Sequence, residues 1–321
     1  MSKQRQKTRR RRIITVIVVG VTLVNALAWM QAHTMLHYVA SDQAMPTIEQ
    51  MSVGQKLKAV VFGIPVSRPS NHVTPANIGL DFQTIMLETE RGQRELWQID
   101  RDQARGTVVM VHGYAASKAS LLDQARIFHE FGWRTILVDF HGSGGSSGNT
   151  TTLGVREADD VRAVLNHVKH KFPDQPLVVY GFSMGAAAVV HALATYHIQV
   201  DGVIVEAMFD RLLATTRRRF GAMGLPSFPM SELLIFWGSV DQGINGFGLK
   251  PIEDVRAIQA PVLMLRGEHD PRVTDAETRA IAANLQHGTL AIMPNTAHTS
   301  GAISAPSVWR ETVQQFLQPM Q

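Results

Sequence analysis

Leu177-Val-Val-Tyr-Gly181-Phe-Ser183-Met-Gly185-Ala-Ala-Ala-Val-Val190 is the stretch on which the reading of this chain turns. It opens on a short apolar run that reads as a buried strand. It closes on an alanine-rich run that reads as a helix. Between them lies Gly-x-Ser-x-Gly, the pattern that holds a serine on a sharp strand-to-helix corner with its hydroxyl exposed. Gly181 and Gly185 lack the Cβ that would block close backbone approach at such a corner. A helix beginning at Met184 aims its free N–H groups and its positive dipole end at the serine. The string alone occurs by chance; between a strand and a helix it marks Ser183 as a candidate nucleophile.

Strands and helices alternate on both sides of this corner. Asp81–Glu88 alternates apolar and polar residues, Arg91-Gly92 reads as a turn, and Glu95–Asp100 returns as a second strand. Thr107–Val111 is a fully apolar short run, expected as a buried parallel strand. Further strands are expected at Arg134–Asp139, Val203–Glu206, Pro261–Arg266 and Thr289–Met293. Helical spacing runs over Leu121–Phe131, Val155–Lys171, Asp275–Leu285 and Val308–Leu317. Repeated strand–helix units predict an α/β fold, a parallel sheet with helices on both faces. The rhythm breaks between Glu206 and Pro261, where no strand pattern occurs. An insertion of that length in a compact domain reads as a lid or binding loop. Its aromatic and aliphatic residues would suit an apolar substrate or pack on the sheet. Arg217-Arg218-Arg219 within it reads as a solvated face, with anionic lipid head groups as the alternative partner.

A serine hydroxyl needs an adjacent base, and the base needs an orienting acid. In this topology such partners lie just after later strands, at the C-terminal edge of the sheet. Asp270 follows one strand within Gly267-Glu-His-Asp270, and His298 follows the last within Pro294-Asn-Thr-Ala-His298. Glu268 is the alternative acid, and Asp270 also fits a turn before Pro271. His269 reads as a loop residue. An oxyanion hole needs two N–H groups aimed at the developing charge. The backbone N–H groups of Met184 and of Tyr114, in the loop His112-Gly113-Tyr114-Ala115, are the candidates. His112 reads as structural, beneath the site. Asp139–Gly148 is Gly-rich and follows a strand, but it has neither the Lys-Ser/Thr end of a P-loop nor dinucleotide spacing, so it reads as a loop shaping the pocket wall. No cofactor and no metal is expected.

Val111-His-Gly113, Asp139-x-His-Gly-x-Gly-x-Ser146, Gly181-x-Ser-x-Gly185, Gly267-x-x-Asp270 and His298, in that order, resemble the α/β-hydrolase superfamily from about Leu80 to the C-terminus. More narrowly, the chain looks like its membrane-anchored, lysophospholipase- or esterase-like members. The resemblance implies an eight-stranded, mostly parallel sheet, a short helical cap and an acyl-enzyme mechanism. The family often has Arg where His141 stands, a departure that leaves the candidate catalytic residues untouched.

The N-terminus is different in kind. Residues 1–12 carry seven basic residues and no acidic one. Removing them leaves 24 of the 31 Lys+Arg against 27 Asp+Glu, a net of about −3, so the pI near 9.5 belongs to one tail and not to a nucleic-acid-binding face. Ile13–Met30 is then 18 residues without a charge, about the minimum for a membrane-spanning helix. Positive charge before it predicts a cytoplasmic N-terminus and a domain on the far, periplasmic or extracytoplasmic side. Trp29 stands where an interfacial aromatic would. A cleaved signal peptide ending at Ala26-Leu27-Ala28, giving a secreted protein, is the alternative; the apolar run continues past that point and favours an uncleaved anchor. The paired Arg9-Arg10 fits a twin-arginine signal poorly. With no cysteines, disulfides and thiol catalysis are excluded.

The expected organisation is a basic tail (1–12), a transmembrane anchor (13–32), a connecting arm (33–76) and a hydrolase domain (77–321) with a cap insertion at about 207–255. The expected activity is cleavage of carboxylic esters bearing an acyl chain, or of lysophospholipid-like substrates, by Ser183, His298 and Asp270. A peptidase of the prolyl-oligopeptidase type and a non-catalytic membrane-tethered interaction protein are the competing readings. The first usually brings a large extra N-terminal domain, for which residues 31–76 are too short.

Overall fold

The computed structural model describes residues 3–40, 52, 54, 58, 62–222 and 224–320. Most of the expected connecting arm between 41 and 61 lies outside the described residues.

An eight-stranded sheet organises the chain, in the order β10 (Gly288–Met293), β9 (Val262–Gly267), β8 (Gly202–Glu206), β7 (Leu177–Phe182), β5 (Thr107–Val111), β6 (Arg134–Val138), β4 (Gly92–Ile99), β3 (Gln83–Thr89). The antiparallel edge is β3 and β4, the latter also antiparallel to β6. The rest is parallel: β6, β5, β7, β8, β9 and β10. Two short strands outside it, β1 (Tyr38–Val39) and β2 (Val66–Ser67), pair in parallel.

The two-residue period of the strands sorts their side chains into two cores. Val109, Val111, Val179, Val203 and Val205 point to one face and meet α3 (Glu157–Lys171) and α4 (Met184–Tyr196). Val108, Met110, Val178, Tyr180 and Ile204 point to the other and meet α2 (Leu122–Glu130) and, beyond the short α9 (Gly301–Ser304), α10 (Pro306–Leu317). Because both faces are covered, the central strands are apolar throughout, which is why β5 carries no alternation. Helix ends follow ordinary electrostatics. Glu157, Asp159 and Asp160 open α3, and Lys169, His170 and Lys171 close it, complementing its dipole. A reciprocal Thr274–Glu277 capping box starts α8 (Asp275–Ala282).

Two features depart from a plain α/β rhythm. The stretch between β8 and β9 carries α5 (Leu212–Ala222), α6 (Met230–Gln242) and the short α7 (Pro251–Asp254). The N-terminal segment is one helix, α1 (Lys3–Leu36), which includes the arginine run and continues past the expected end of the anchor. By length and composition, Gln6–Leu36 is long and apolar enough to cross a membrane.

Candidate active site

The C-terminal ends of the parallel strands gather the polar residues that the sheet interior excludes. His112 follows β5, Asp139 follows β6, Ser183 follows β7, Glu206 ends β8, Asp270 follows β9 and His298 follows β10.

Ser183 sits at φ 52°, ψ −113°, a backbone state that costs about 1–3 kcal/mol for a residue with a side chain. Two backbone bonds hold it there: its N–H donates to the Glu206 carbonyl (2.8 Å), and its carbonyl accepts from the Ala187 N–H (3.2 Å). The flanking glycines are required by contact. A Cβ on Gly181 would lie 2.7 Å from the backbone of Ala186, and one on Gly185 would lie 2.5 Å from the His112 carbonyl. The corner therefore presses the elbow helix against the end of β5.

Ser183 Oγ lies 3.0 Å from His298 Nε2, and His298 Nδ1 lies 2.8 Å from Asp270 Oδ2. Phe182 packs beside the imidazole, ring centroids 5.6 Å apart. The other Asp270 oxygen accepts from the backbone N–H groups of Arg272 (2.7 Å) and Val273 (3.0 Å). Asp270 is thus both the turn residue and the histidine's partner. Burial pushes its carboxyl up, but the His298 contact and these two N–H donors outweigh burial and hold it below the usual carboxylate range. Glu268, the alternative acid, instead accepts from the Asn295 N–H (3.0 Å), and His269 is exposed.

Met184 is the first residue of α4, where N–H groups lack intrahelical partners. Tyr114 lies in the neighbouring loop after β5, and its hydroxyl donates to the Met35 carbonyl of α1 (2.8 Å). His112 is buried. Its ring bridges the Gly113 carbonyl (Nδ1, 2.8 Å) and the Phe140 N–H (Nε2, 3.2 Å), an arrangement that suits the neutral Nδ1–H tautomer, and burial depresses its pKa.

Several supporting residues carry no sequence signal of their own. Glu206, fully buried at the end of β8, accepts from Tyr180 Oη (2.5 Å), Ser300 Oγ (2.9 Å) and Gly301 N–H (2.6 Å). It ties the elbow strand to the segment just after His298, and burial raises its pKa. Glu157 does similar work beside Met184, accepting from Thr151 Oγ1 (2.7 Å) and from the N–H groups of Thr152 (2.8 Å) and Gly154 (2.9 Å). The Gly-rich loop after β6 encloses a buried ion pair. Lys118 Nζ meets Asp139 and also Glu95 (2.5 Å), while Arg68 holds the carbonyls of Gly144 (2.8 Å) and Ser146 (2.6 Å) from outside. His141, where the family often has Arg, is pushed down to about 4 by burial and by Arg91 and Arg94, so it does not supply that charge.

The arginine run is only partly a solvated face. Arg217 pairs with Glu232 on α6 (2.8 Å) and Arg218 with Glu277 on α8 (2.7 Å). Arg219 stands over the Tyr114 ring, 5.7 Å from its centroid, with no carboxylate partner among the described residues. Two surface cavities of about 420 and 340 Å³ open at the opposite edge of the sheet, around Pro176 and Asp201, and share no residue with this cluster.

Residues 102–214 match the family described as serine aminopeptidase, S33. The chain is 28% identical to an uncharacterized protein, YqkD, of Bacillus subtilis over 220 residues, 67% of this chain and 72% of that protein. It is 23% identical to a monoacylglycerol lipase of Mycolicibacterium smegmatis, over 58% of this chain and 78% of the lipase. Among solved structures, the Pyrococcus furiosus esterase PF2001 superposes with a TM-score of 0.67 at 21% identity, over 78% of this chain and 96% of the esterase. Its mostly parallel eight-stranded sheet, its strand–turn–helix serine corner and these likenesses give the chain the α/β-hydrolase fold.

Proposed function

We propose that the protein is a serine hydrolase that cleaves carboxylic esters of acyl chains, monoacylglycerol- or lysophospholipid-like, through an acyl-enzyme. The observation that carries this reading is the continuous chain Ser183 Oγ–His298 Nε2–His298 Nδ1–Asp270 Oδ2, with links of 3.0 and 2.8 Å. Ser183 Oγ attacks the ester carbonyl carbon as its proton passes to His298 Nε2. The Met184 and Tyr114 N–H groups hold the oxyanion. The tetrahedral species collapses, the ester C–O bond breaks, and the imidazolium protonates the departing alkoxide. Water, deprotonated by the same nitrogen, then releases the fatty acid and restores the serine. Asp270 keeps the proton on Nδ1 and stabilises the imidazolium. The insertion at about 207–255 acts as the cap over the acyl site, and α1 anchors the enzyme in a membrane with its N-terminus cytoplasmic.

The ester reading is favoured over aminopeptidase action by charge. An aminopeptidase needs a free carboxylate to hold the substrate's ammonium. Here Asp270 is engaged by His298, and the cation Arg219 stands over Tyr114, with no carboxylate partner among the described residues, where it would repel an ammonium. The Pyrococcus esterase and the Mycolicibacterium lipase lend the same support from likeness.

The test is hydrolysis of p-nitrophenyl esters from acetyl to long acyl by the full chain in detergent, with Ser183→Ala alongside and a fluorophosphonate probe on both. Turnover that grows with acyl length and disappears in Ser183→Ala is expected. Silence toward every ester and toward the probe would overturn the reading.

A further inference from the structure

The apolar helix does not stand clear of the domain. Every residue from Ile13 to Val24 is exposed, but from Asn25 onward α1 lies against α6, burying Ala28, Ala32 and Leu36. Gly238 makes the close approach possible, since a Cβ there would already touch Leu36 at 3.1 Å. The polar contacts along this seam are ordered. Trp237 Nε1 donates to Asn25 Oδ1 (3.0 Å), while Asp241 meets His33 (2.9 Å) and His37 (3.5 Å) farther on.

Length decides what this means. Twelve bare residues, Ile13 to Val24, rise only about 18 Å, well short of a hydrocarbon core of about 30 Å. Twenty steps, from Ile13 to His33, rise about 30 Å, and His33 is where the seam first meets a carboxylate, Asp241. A bilayer spanned by α1 must therefore include the level at which α6 is docked. The chemistry of the seam fits that depth. The indole N–H and the Asn25 amide satisfy each other, and Asn25 Nδ2 and Thr22 Oγ1 return to carbonyls of their own helix, as groups without water require. Large apolar side chains stand exposed on α6 and on the turn before it: Leu225 (52% exposed), Phe228 (75%), Phe236 (48%) and Val240 (56%).

We propose that α6 and the turn before it, Gly224–Pro229, are immersed in the far leaflet of the bilayer that α1 spans, so that the cap is bathed in acyl chains and substrate lipids enter from the leaflet. This deepens the proposed function, since it rests on α1 spanning a membrane and names the phase from which the acyl substrate comes.

The chain has no cysteine, so single labels can be placed anywhere. Full-length Phe228→Cys, Phe236→Cys, Val240→Cys, Val18→Cys and Val308→Cys, each carrying an environment-sensitive fluorophore, are reconstituted in phosphatidylcholine vesicles. Expected are blue-shifted emission, quenching by nitroxide on the acyl chain and loss of quenching by aqueous iodide at 228, 236, 240 and 18, with the reverse at 308. Labels at 228, 236 and 240 that behave like 308, while 18 stays lipid-quenched, would overturn the immersed cap and leave the anchor intact. A label at 18 that also reports water would overturn both the span and the immersion. Neither result touches the ester chemistry, which the soluble-ester assay reads separately.

Discussion

The hydroxyl of Tyr114 reaches the carbonyl of Met35 across 2.8 Å, so the loop proposed to hold the oxyanion is braced by the last turn of the N-terminal helix. A single neutral hydrogen bond contributes about 0.5–1.5 kcal/mol. Tyr114→Phe is therefore expected to lower kcat on a soluble ester by up to about tenfold, with KM little changed. Deleting residues 1–24 leaves this contact and should leave kcat within about twofold. Deleting through Leu36 removes it and should match or exceed the Tyr114→Phe loss. Equal activity in both deletions would show that the brace has no catalytic consequence.

Asp270 and Glu268 sit two residues apart but face different groups. Asp270→Asn is expected to reduce kcat by about 10³–10⁴-fold, because the histidine loses the acceptor that fixes its tautomer. Glu268→Gln should stay within about twofold of wild type, since its carboxylate accepts from the Asn295 N–H at an exposed turn and an amide oxygen can do the same. Steady-state kinetics on one ester separates the two, and the reverse order of effects would move the acid to Glu268.

Under the proposed function, Arg219 is the cation available to a substrate head group. Its guanidinium lies over Tyr114 without a carboxylate partner among the described residues, while Arg217 and Arg218 are each paired. Arg219→Ala should raise KM for a lysophospholipid about tenfold and leave a monoacylglycerol nearly unchanged, since only the first carries a phosphate. A parallel change for both substrates would assign Arg219 to packing on the loop.

The start of the insertion, proposed as the cap, should loosen with rising pH. Burial and the neighbouring Glu277 push the Asp210 carboxyl up to about 6, above the ordinary value of about 3.9. A carboxyl raised on folding contributes stability that is present below its unfolded value and is lost as pH rises through the folded one. Glu277 is shifted the other way, so its effect falls at lower pH, as its own carboxylate protonates. Between pH 5 and pH 8 the Asp210 contribution amounts to about 1 kcal/mol. Thermal melts of wild type and Asp210→Asn at both pH values should differ in slope by that amount, with the variant flatter.

Much of the frame was legible in the residues. β5, β7, β8 and β9 are short apolar runs bounded by polar turns, and a sheet covered on both faces demands such runs. Ser183, Asp270 and His298 stood out because each follows a strand, and the fold brings all three within hydrogen-bond reach; their roles are proposed. What was not legible is long-range pairing. Nothing near Glu206 announces Ser300 and Gly301, some ninety residues on, and nothing near Lys118 announces Asp139. The arginine run looked uniform because sequence does not say which of three neighbours meets a carboxylate. The seam between α1 and α6 was hidden for the same reason: Asn25 and Trp237 are 212 positions apart.

The unbroken run of α1 into the contact at Tyr114 has a kinetic corollary. A hydrolase on a flexible stalk samples a volume, and its rate follows the bulk concentration of substrate. Here helix, brace and loop are consecutive, so under the proposed span the serine is held at one height above the bilayer. The variable that then governs turnover is the number of substrate molecules per unit area of leaflet. Diluting the substrate with inert lipid at constant bulk concentration would slow such an enzyme, whereas adding more vesicles of unchanged composition would not speed it.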